Sequence, residues 1–400
     1  MQQKKRILVI PSWYPNKEQT SGGSQFREQA EFFQQRYDVR VLFGTKSQLS
    51  PLNWIKQNGL KHAWQFSQET TPAGLLEHRF EYKSFFKNEQ NQVGAMIQGY
   101  RETLDAIINA GWKPDLIHAR CTDPAGVVAA SLAKDLDIPW VLSEHQVFAL
   151  GNFSEYYAKL MKKAINSASI VTVVSQHQLR SFVAHYIYRP LVVTGNLVDD
   201  EKFPISIIEE VRSPFKILTV MYPSPIKDPE TFFRAIADLV QKGHDDIEVT
   251  IIGRKLFSQN DVEPFNKLIQ GFNLEPYCNV IPFVPNDRLA EHYAEANVFV
   301  STSLAETFGI AVREAMMVGR PVVCTASGGV DDDIFDFNGF KVDIYDYQAI
   351  ADALIKIKTG QMTYDSSRIR NFVVSKYGRQ AFFDRMGAIY EHALAKREQA

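Results

Sequence analysis

Short apolar runs rich in valine and isoleucine alternate along this chain with longer segments whose apolar positions recur at helical spacing. The first half offers strands at Arg6–Ile10, Val39–Phe43, Leu116–Ala119, Trp140–Ser143, Ile170–Val174 and Leu191–Thr194. The second half offers Ile217–Val220, Val249–Gly253, Asn279–Pro282, Val298–Ser301 and Val322–Thr325. Runs this short and this continuously apolar suit strands buried on both faces of a parallel sheet. Their alternation with helical segments predicts an α/β fold with helices on both sides of each sheet. The charge cluster Asp199-Asp200-Glu201, with Pro204 and Pro214, interrupts the pattern before it restarts at Phe215. Two Rossmann-like domains follow, spanning 1–198 and 199–378, with a final packed helix in 379–400.

Residues 44–112 break the alternation. Trp54, Lys56, Lys61, His62, Trp64 and Phe66 are followed by Lys83-Ser-Phe-Phe-Lys87, and a second basic stretch is Lys159-Leu-Met-Lys-Lys-Ala164. Interleaved aromatic and basic residues suit either a surface that touches lipid headgroups or amphipathic helices whose aromatic side chains are core.

A chain of 400 residues with 44 basic and 46 acidic side chains has a formal net charge of −2, which argues against nucleic acid as a partner. Cys121, Cys278 and Cys324 lie far apart without metal-ligand spacing, as expected of a reduced, cytoplasmic protein. The apolar run after Arg6 ends at Pro11, too short for a signal-peptide core, and no run reaches membrane-spanning length.

The candidate chemistry is densest at Glu306-Thr-Phe-Gly-Ile-Ala-Val-Arg-Glu314, which follows the strand Asn297–Ser301 and precedes Gly319-Arg-Pro321. Ser301 to Glu306 make a polar loop at a C-terminal strand end, where open α/β sheets bind ligands. A helix starting at Phe308-Gly309 and stopping before Gly319 points its first-turn amides at that loop and favours an anion such as a diphosphate. Gly309 lets the anion approach the backbone, and Glu314 is set to accept from a ribose diol. Glu306 reaches further, toward an attached sugar. The plain alternative is an acidic residue complementing the helix dipole and one solvated glutamate.

This spacing resembles the E-x7-E signature of GT4-type retaining glycosyltransferases (glycosyl transferases group 1), and further motifs align with it over nearly the whole chain. Ile10-Pro-Ser-Trp-Tyr-Pro15 with Ser21-Gly22-Gly23-Ser24 resembles the family's first strand and glycine loop. Pro114-Asp-Leu-Ile-His118 resembles its PDxIHxH strand, with Arg120 at the second histidine. Pro139–His145 ends in the histidine that faces the cleft in the family, and Asn196 matches a hinge-side asparagine, with Leu197 where a glycine is usual. Lys227 matches the lysine of a G-R-x4-K segment whose arginine position is Tyr222. Replacing a bidentate guanidinium by a phenol is the sharpest departure from the pattern.

The resemblance implies a GT-B fold, two Rossmann-like domains with parallel sheets facing across a cleft. It implies an acceptor-binding first domain, a nucleotide-sugar-binding second domain, and a last helix returning to the first. His145 and Glu306 are the implied catalytic residues. Lys227, Gly253, Arg254, Phe308, Gly309, Ile310 and Glu314 are implied to bind the donor, beside a Gly22-Gly23 loop. The implied reaction moves a sugar from a UDP- or GDP-sugar to a sugar or lipid-linked acceptor hydroxyl, with configuration kept and with neither metal nor cofactor. Polysaccharide, lipopolysaccharide or glycolipid assembly at the inner face of the cell membrane is the implied setting. Asp331-Asp-Asp333 reads as an aspartate-rich helix start rather than a metal site. A nucleotide-sugar 2-epimerase and a retired nucleotide-sugar-binding protein remain as alternatives.

Overall fold

A computed structural model describes residues 4–16, 22–83, 85–208, 210–211, 213–253 and 262–398. Its contacts divide into two compact units. The first comprises Met1–Val174, Leu179–Thr194 and Phe383–Ala400, and the second comprises Ser175–Gln178 and Gly195–Phe382.

Among the described residues, the first unit is built on eight strands: β1 (Arg6–Pro11), β2 (Asp38–Lys46), β3 (Ser67–Thr70), β4 (Leu76–Tyr82), β5 (Leu116–Arg120), β6 (Trp140–Glu144), β7 (Ile170–Val173) and β8 (Leu191–Val193). They lie in the order β3-β4-β2-β1-β5-β6-β7-β8, all parallel to their neighbours except β3 against β4. The order reverses between β1 and β5, the topological switch point of a doubly wound sheet. On one face the helix Glu89–Asn109 buries Val93, Met96, Tyr100, Leu104 and Ile107 at helical spacing against Leu8, Leu42 and Ile117 of the strands. On the other, the segment from Phe383 onward stacks Phe383 on Phe33 at 5.5 Å and sets Tyr390 edge-on to Tyr37 at 5.3 Å. This is the terminal helix, Arg379–Glu398, whose residues from 383 on count with the first unit.

The strands β3 and β4 lie inside the segment where the alternation fails. β4 reads Leu-Glu-His-Arg-Phe-Glu-Tyr, yet Glu77 and His78 are buried in it. Glu77 is held by Tyr14 Oη at 2.8 Å, Arg27 Nε at 2.7 Å and Arg79 Nη2 at 2.7 Å. Burial pushes that carboxyl up, but the hydrogen bonds from Arg27, Arg79 and Tyr14 outweigh it and leave the pKa below the ordinary range. Glu77 and His78 point to opposite faces of the strand, so each face buries a polar side chain, and Phe80 alone of this strand is buried in the core.

The second unit, among the described residues, is built on β9 (Phe215–Met221), β10 (Ile247–Gly253), β11 (Cys278–Ile281), β12 (Val298–Ser301), β13 (Val322–Thr325) and β14 (Gly339–Val342). They form one parallel sheet in the order β11-β10-β9-β12-β13-β14, so its switch point falls between β9 and β12. Phe232, Phe233, Ile236 and Leu239 of the helix Pro229–Gln241 and Ile350, Leu354 and Ile357 of the helix Tyr347–Lys358 fill the core over Ile217, Val249, Val300 and Val323.

His78 supplies a pH test of the first unit. Neither ring nitrogen has a hydrogen-bond partner among the described residues, and burial, then the Arg40 charge, holds its pKa down to about 4. The unfolded chain takes up this proton near pH 6.5, whereas the folded unit refuses it until about pH 4, so stability is lost as pH falls through that window. Thermal melts between pH 7 and 4 should show a falling Tm. His78→Leu should flatten part of that slope while leaving the neutral-pH Tm within a few degrees, and a variant with the parental slope would remove His78 as a source of it.

Candidate functional site

In the second unit, Lys227 follows β9 and Glu306 follows β12, the two strands on either side of the switch point. The chain between them is stitched by polar contacts. Thr302 Oγ1 donates to the carbonyls of Lys227 at 3.0 Å and Asp228 at 2.9 Å, and the Leu304 amide donates to Ile226 O at 2.8 Å. Asp228 then caps the helix Pro229–Gln241, its Oδ1 accepting from the Thr231 amide. The turn that carries Lys227 is therefore fixed to the loop that carries Glu306.

The side chains meet. Lys227 Nζ donates to Glu306 Oε1, which also accepts from Ser303 Oγ at 2.8 Å. Both partners of the ion pair are largely buried, at 18 and 17 % side-chain exposure. Lys227 Nζ also lies 5.5 Å from the ring centroid of Tyr222, so the phenol at the expected arginine position supplies a π face to the lysine.

The Glu306 backbone is held from the other side. Its amide donates to Ser327 O at 2.8 Å, forming an isolated parallel bridge with Gly328. A Cβ at Gly329 would stand 2.6 Å from both Glu306 O and Phe308 N, so only glycine permits this approach. Gly328, at φ +92°, lies against the His177 ring. Gly309, at φ +69°, caps the helix Ile310–Met317 with no side-chain hydrogen bond. This leaves the first-turn amides directed as an anion site requires.

Phe308 and Arg313 support that helix start. The Arg313 guanidinium lies 3.9 Å from the Phe308 ring centroid and 4.9 Å from that of Tyr377. Its Nε donates to Asp333 Oδ2 at 2.9 Å and its Nη2 to Gly329 O at 3.0 Å. Asp333 also accepts from Lys376 and Tyr377, each at 2.8 Å. Burial pushes the Asp333 carboxyl up, but Arg313, Lys376 and Tyr377 prevail and hold it below the ordinary carboxylate range. The expectation of an aspartate-rich helix start at 331–333 is corrected here. These residues form a turn, with Asp331 Oδ1 accepting from the Gly328 amide at 2.9 Å, and Asp333 belongs to a buried ion pair. Among the described residues no acidic, histidine or cysteine cluster has the arrangement of a metal site.

Farther along that helix, Glu314 Oε2 accepts from Tyr293 Oη at 2.9 Å. Ile310 is half-buried in the first turn, and Gly253 ends β10 where a Cβ would strike Pro282 O. Arg254 lies outside the described residues. Sequence reasoning missed His177 and the Arg313–Asp333 pair, whose contacts are distant in the chain, and also Ser303, although its bond to Glu306 spans only three residues.

His145, Gly22 and Gly23 belong to the first unit. His145 follows β6, its ring 4.9 Å from that of Phe26, and its amide donates to Glu144 Oε1 at 2.9 Å. Buried Glu144 also accepts from the Gln146 amide and from the amide and hydroxyl of Thr122, which fixes the loop that presents the histidine. Gly23, at φ +75°, precedes the helix Ser24–Phe33, and a Cβ there would strike Trp13 O.

The family model described as "Glycosyl transferases group 1" matches residues 199–371, and "Glycosyltransferase Family 4" matches residues 26–202. A putative teichuronic acid biosynthesis glycosyltransferase, TuaC of Bacillus subtilis, is 23 % identical over 380 residues, covering 89 % of this chain and 90 % of the relative. A D-inositol 3-phosphate glycosyltransferase of Corynebacterium aurimucosum is 25 % identical, covering 56 % of this chain and 59 % of the relative. Among solved structures, sucrose-phosphate synthase from Thermosynechococcus elongatus superimposes with a TM-score of 0.74 at 17 % identity, covering 98 % of this chain and all of the other. Anabaena HepE in complex with UDP-glucose gives 0.68 at 18 % identity, covering 96 and 99 %.

The Arg313–Asp333 pair is 2 % exposed at both ends, so removing one partner strands the other. Asp333→Ala should cost about 3–5 kcal/mol of second-unit stability in urea unfolding. A change within a few tenths would mean that the pair contributes nothing to holding the helix start.

Proposed function

We propose, for a chain that belongs to the GT4-type glycosyltransferases and carries the GT-B fold, a transfer of sugar from a nucleotide-diphosphate donor to an acceptor hydroxyl with the anomeric configuration kept. The observation that carries this reading is the Lys227–Glu306 pair at the β9/β12 switch point, beside the uncapped start of the helix Ile310–Met317. The pair keeps each side chain in place at modest cost. Donor binding exchanges it for two better-matched partners, phosphate oxygens for the ammonium and sugar hydroxyls for the carboxylate.

Leaving-group departure builds negative charge on the β-phosphate. Lys227 and the first-turn amides after Gly309 stabilise that charge without a metal. Glu306, braced by Ser303, holds the sugar as it becomes oxocarbenium-like, and Glu314, oriented by Tyr293, takes the ribose. Phe308, Ile310 and Gly253 shape the donor pocket. In the first unit His145 is the catalytic residue, on a loop that Glu144 fixes, and Gly22-Gly23 admits substrate close to the backbone. Attack comes from the face the leaving phosphate occupies, since no carboxylate is assigned to a double displacement.

A uridine donor is the preferred reading, because the HepE structures, of like fold, hold UDP and UDP-glucose. A polysaccharide or lipid-linked acceptor is preferred because of the teichuronic acid relative. Exposed Leu52 and Leu60, with Lys56 and Lys61 in the same segment, support peripheral contact with the inner face of the cell membrane. Tyr222 at the arginine position favours a second reading, a protein that binds nucleotide-sugars without turning them over.

A panel of UDP-, GDP- and ADP-sugars separates the two. The transferase should release nucleotide slowly from its own donor even without acceptor, and a binding protein should release none. Glu306→Gln and Lys227→Ala should each lower that rate on the order of 10²-fold or more, and parental rates in both would take these residues out of the site.

A further inference from the structure

Arg120 ends β5 at the first unit's own switch point, beside β1, whose following Ser12 amide donates to Arg120 O at 3.1 Å. It stands where the family resemblance expects a histidine, and its side chain is 1 % exposed. Neither Nε nor Nη2 has a hydrogen-bond partner among the described residues. Arg320 in the second unit shows how this protein otherwise buries a guanidinium, with Nε, Nη1 and Nη2 donating to the carbonyls of Tyr293, Ser206 and Ala294 at 2.7–3.0 Å.

The polar groups nearby are committed elsewhere. His118, two residues back on the same face, joins Tyr390 Oη through Nδ1 at 2.6 Å and Ser143 Oγ through Nε2 at 2.7 Å. Glu144 is taken up by Thr122, His145 and Gln146. The ionisable groups that act on Arg120 are Tyr390 and Cys121, and burial raises both, so neither offers a negative charge at neutral pH. A guanidinium cannot shed its proton to escape this position.

The charge lies close to a helix start. Its Cζ is 5.9 Å from the ring centroid of Phe26, in the first turn of the ten-residue helix Ser24–Phe33, whose N-cap Gly23 makes no side-chain hydrogen bond. A desolvated fork of N–H donors and a helix N-terminus at the sheet's switch point are together complementary to a small oxyanion.

We infer that Arg120 seats an anionic group, phosphoryl or carboxylate, of the substrate that binds the first unit, a sugar phosphate or a uronate being the matching classes. This rests on the transferase reading above and narrows it: the enzyme takes a charged saccharide rather than a neutral one. Arg120 is then a specificity-determining residue, and its unpaired state is the strain that binding relieves.

The test uses the Lys227→Ala protein as parent, so that anions at the second unit contribute little, and compares it with Arg120→Met and Arg120→Lys in that background. Inorganic phosphate and glucuronate serve as probes of the two anion types, read by Tm and by calorimetric affinity. We expect Arg120→Met to melt at or above the parent, because an apolar side chain of similar length replaces an unpaired buried charge. One or both probes should raise the parental Tm, lose at least tenfold in affinity in Arg120→Met, and keep part of it in Arg120→Lys; the probe that responds names the anion. The inference is overturned if the parent responds to neither probe, if all three proteins respond alike, or if Arg120→Met melts several degrees lower. Nucleotide release from donor sugars is read separately, so its failure would count against the transferase reading and not against the seat.

Discussion

One hydroxyl holds the candidate site of the second unit together. Thr302, the residue after β12, donates from Oγ1 to the carbonyls of Lys227 and Asp228, at the end of the turn that follows β9. Parallel strands leave their C-terminal ends open, and at a switch point the two connections diverge to opposite faces. Without a cross-link the loops after β9 and β12 would be free to separate. The Thr302 stitch, with Leu304 N to Ile226 O, sets the distance at which an ammonium and a carboxylate can meet. The Lys227–Glu306 pair, largely buried itself, forms within that backbone arrangement.

Buried charge is the second theme, and it is handled in more than one way. Glu77 is neutralised by two arginines and a tyrosine. Asp333 and Arg313 neutralise one another, with aromatic rings over the guanidinium. Arg320 has no carboxylate, but backbone carbonyls receive its N–H groups. Each solution supplies the hydrogen bonds that water would have given, as a desolvated ion requires. Arg120 lacks any such supply among the described residues, which is why it stands out as a place for a ligand rather than as a support of the fold.

The α/β class, the two Rossmann-like units and the strands of both sheet centres were legible because continuous apolar runs record burial on both faces. β4 was not, because it buries a polar residue on each face, Glu77 on one and His78 on the other, and β3 was not, because it is exposed throughout. The glutamate frame and the Gly309 helix start were legible from spacing, since the loop and helix that carry them are local, whereas Lys227 was named through the family resemblance. The aspartates at 331–333 were misread for the converse reason: a local rule assigned them to a helix start, while Arg313, eighteen to twenty residues earlier in the chain, claims Asp333. The role of Tyr222 was open in the sequence, where it was only a missing arginine, and its ring beside Lys227 is a tertiary fact.

By itself, then, the sequence determined what short-range chemistry controls: which segments extend, which coil, where glycine must stand, and which acidic and basic residues follow which strand. Tertiary structure alone decided which charges found partners. An ion's cost depends on every dipole within a few ångströms after folding, and those dipoles come from chain positions that no local pattern connects. Lys227 with Glu306, Arg313 with Asp333, and Arg120 with none among the described residues are distinctions of that kind.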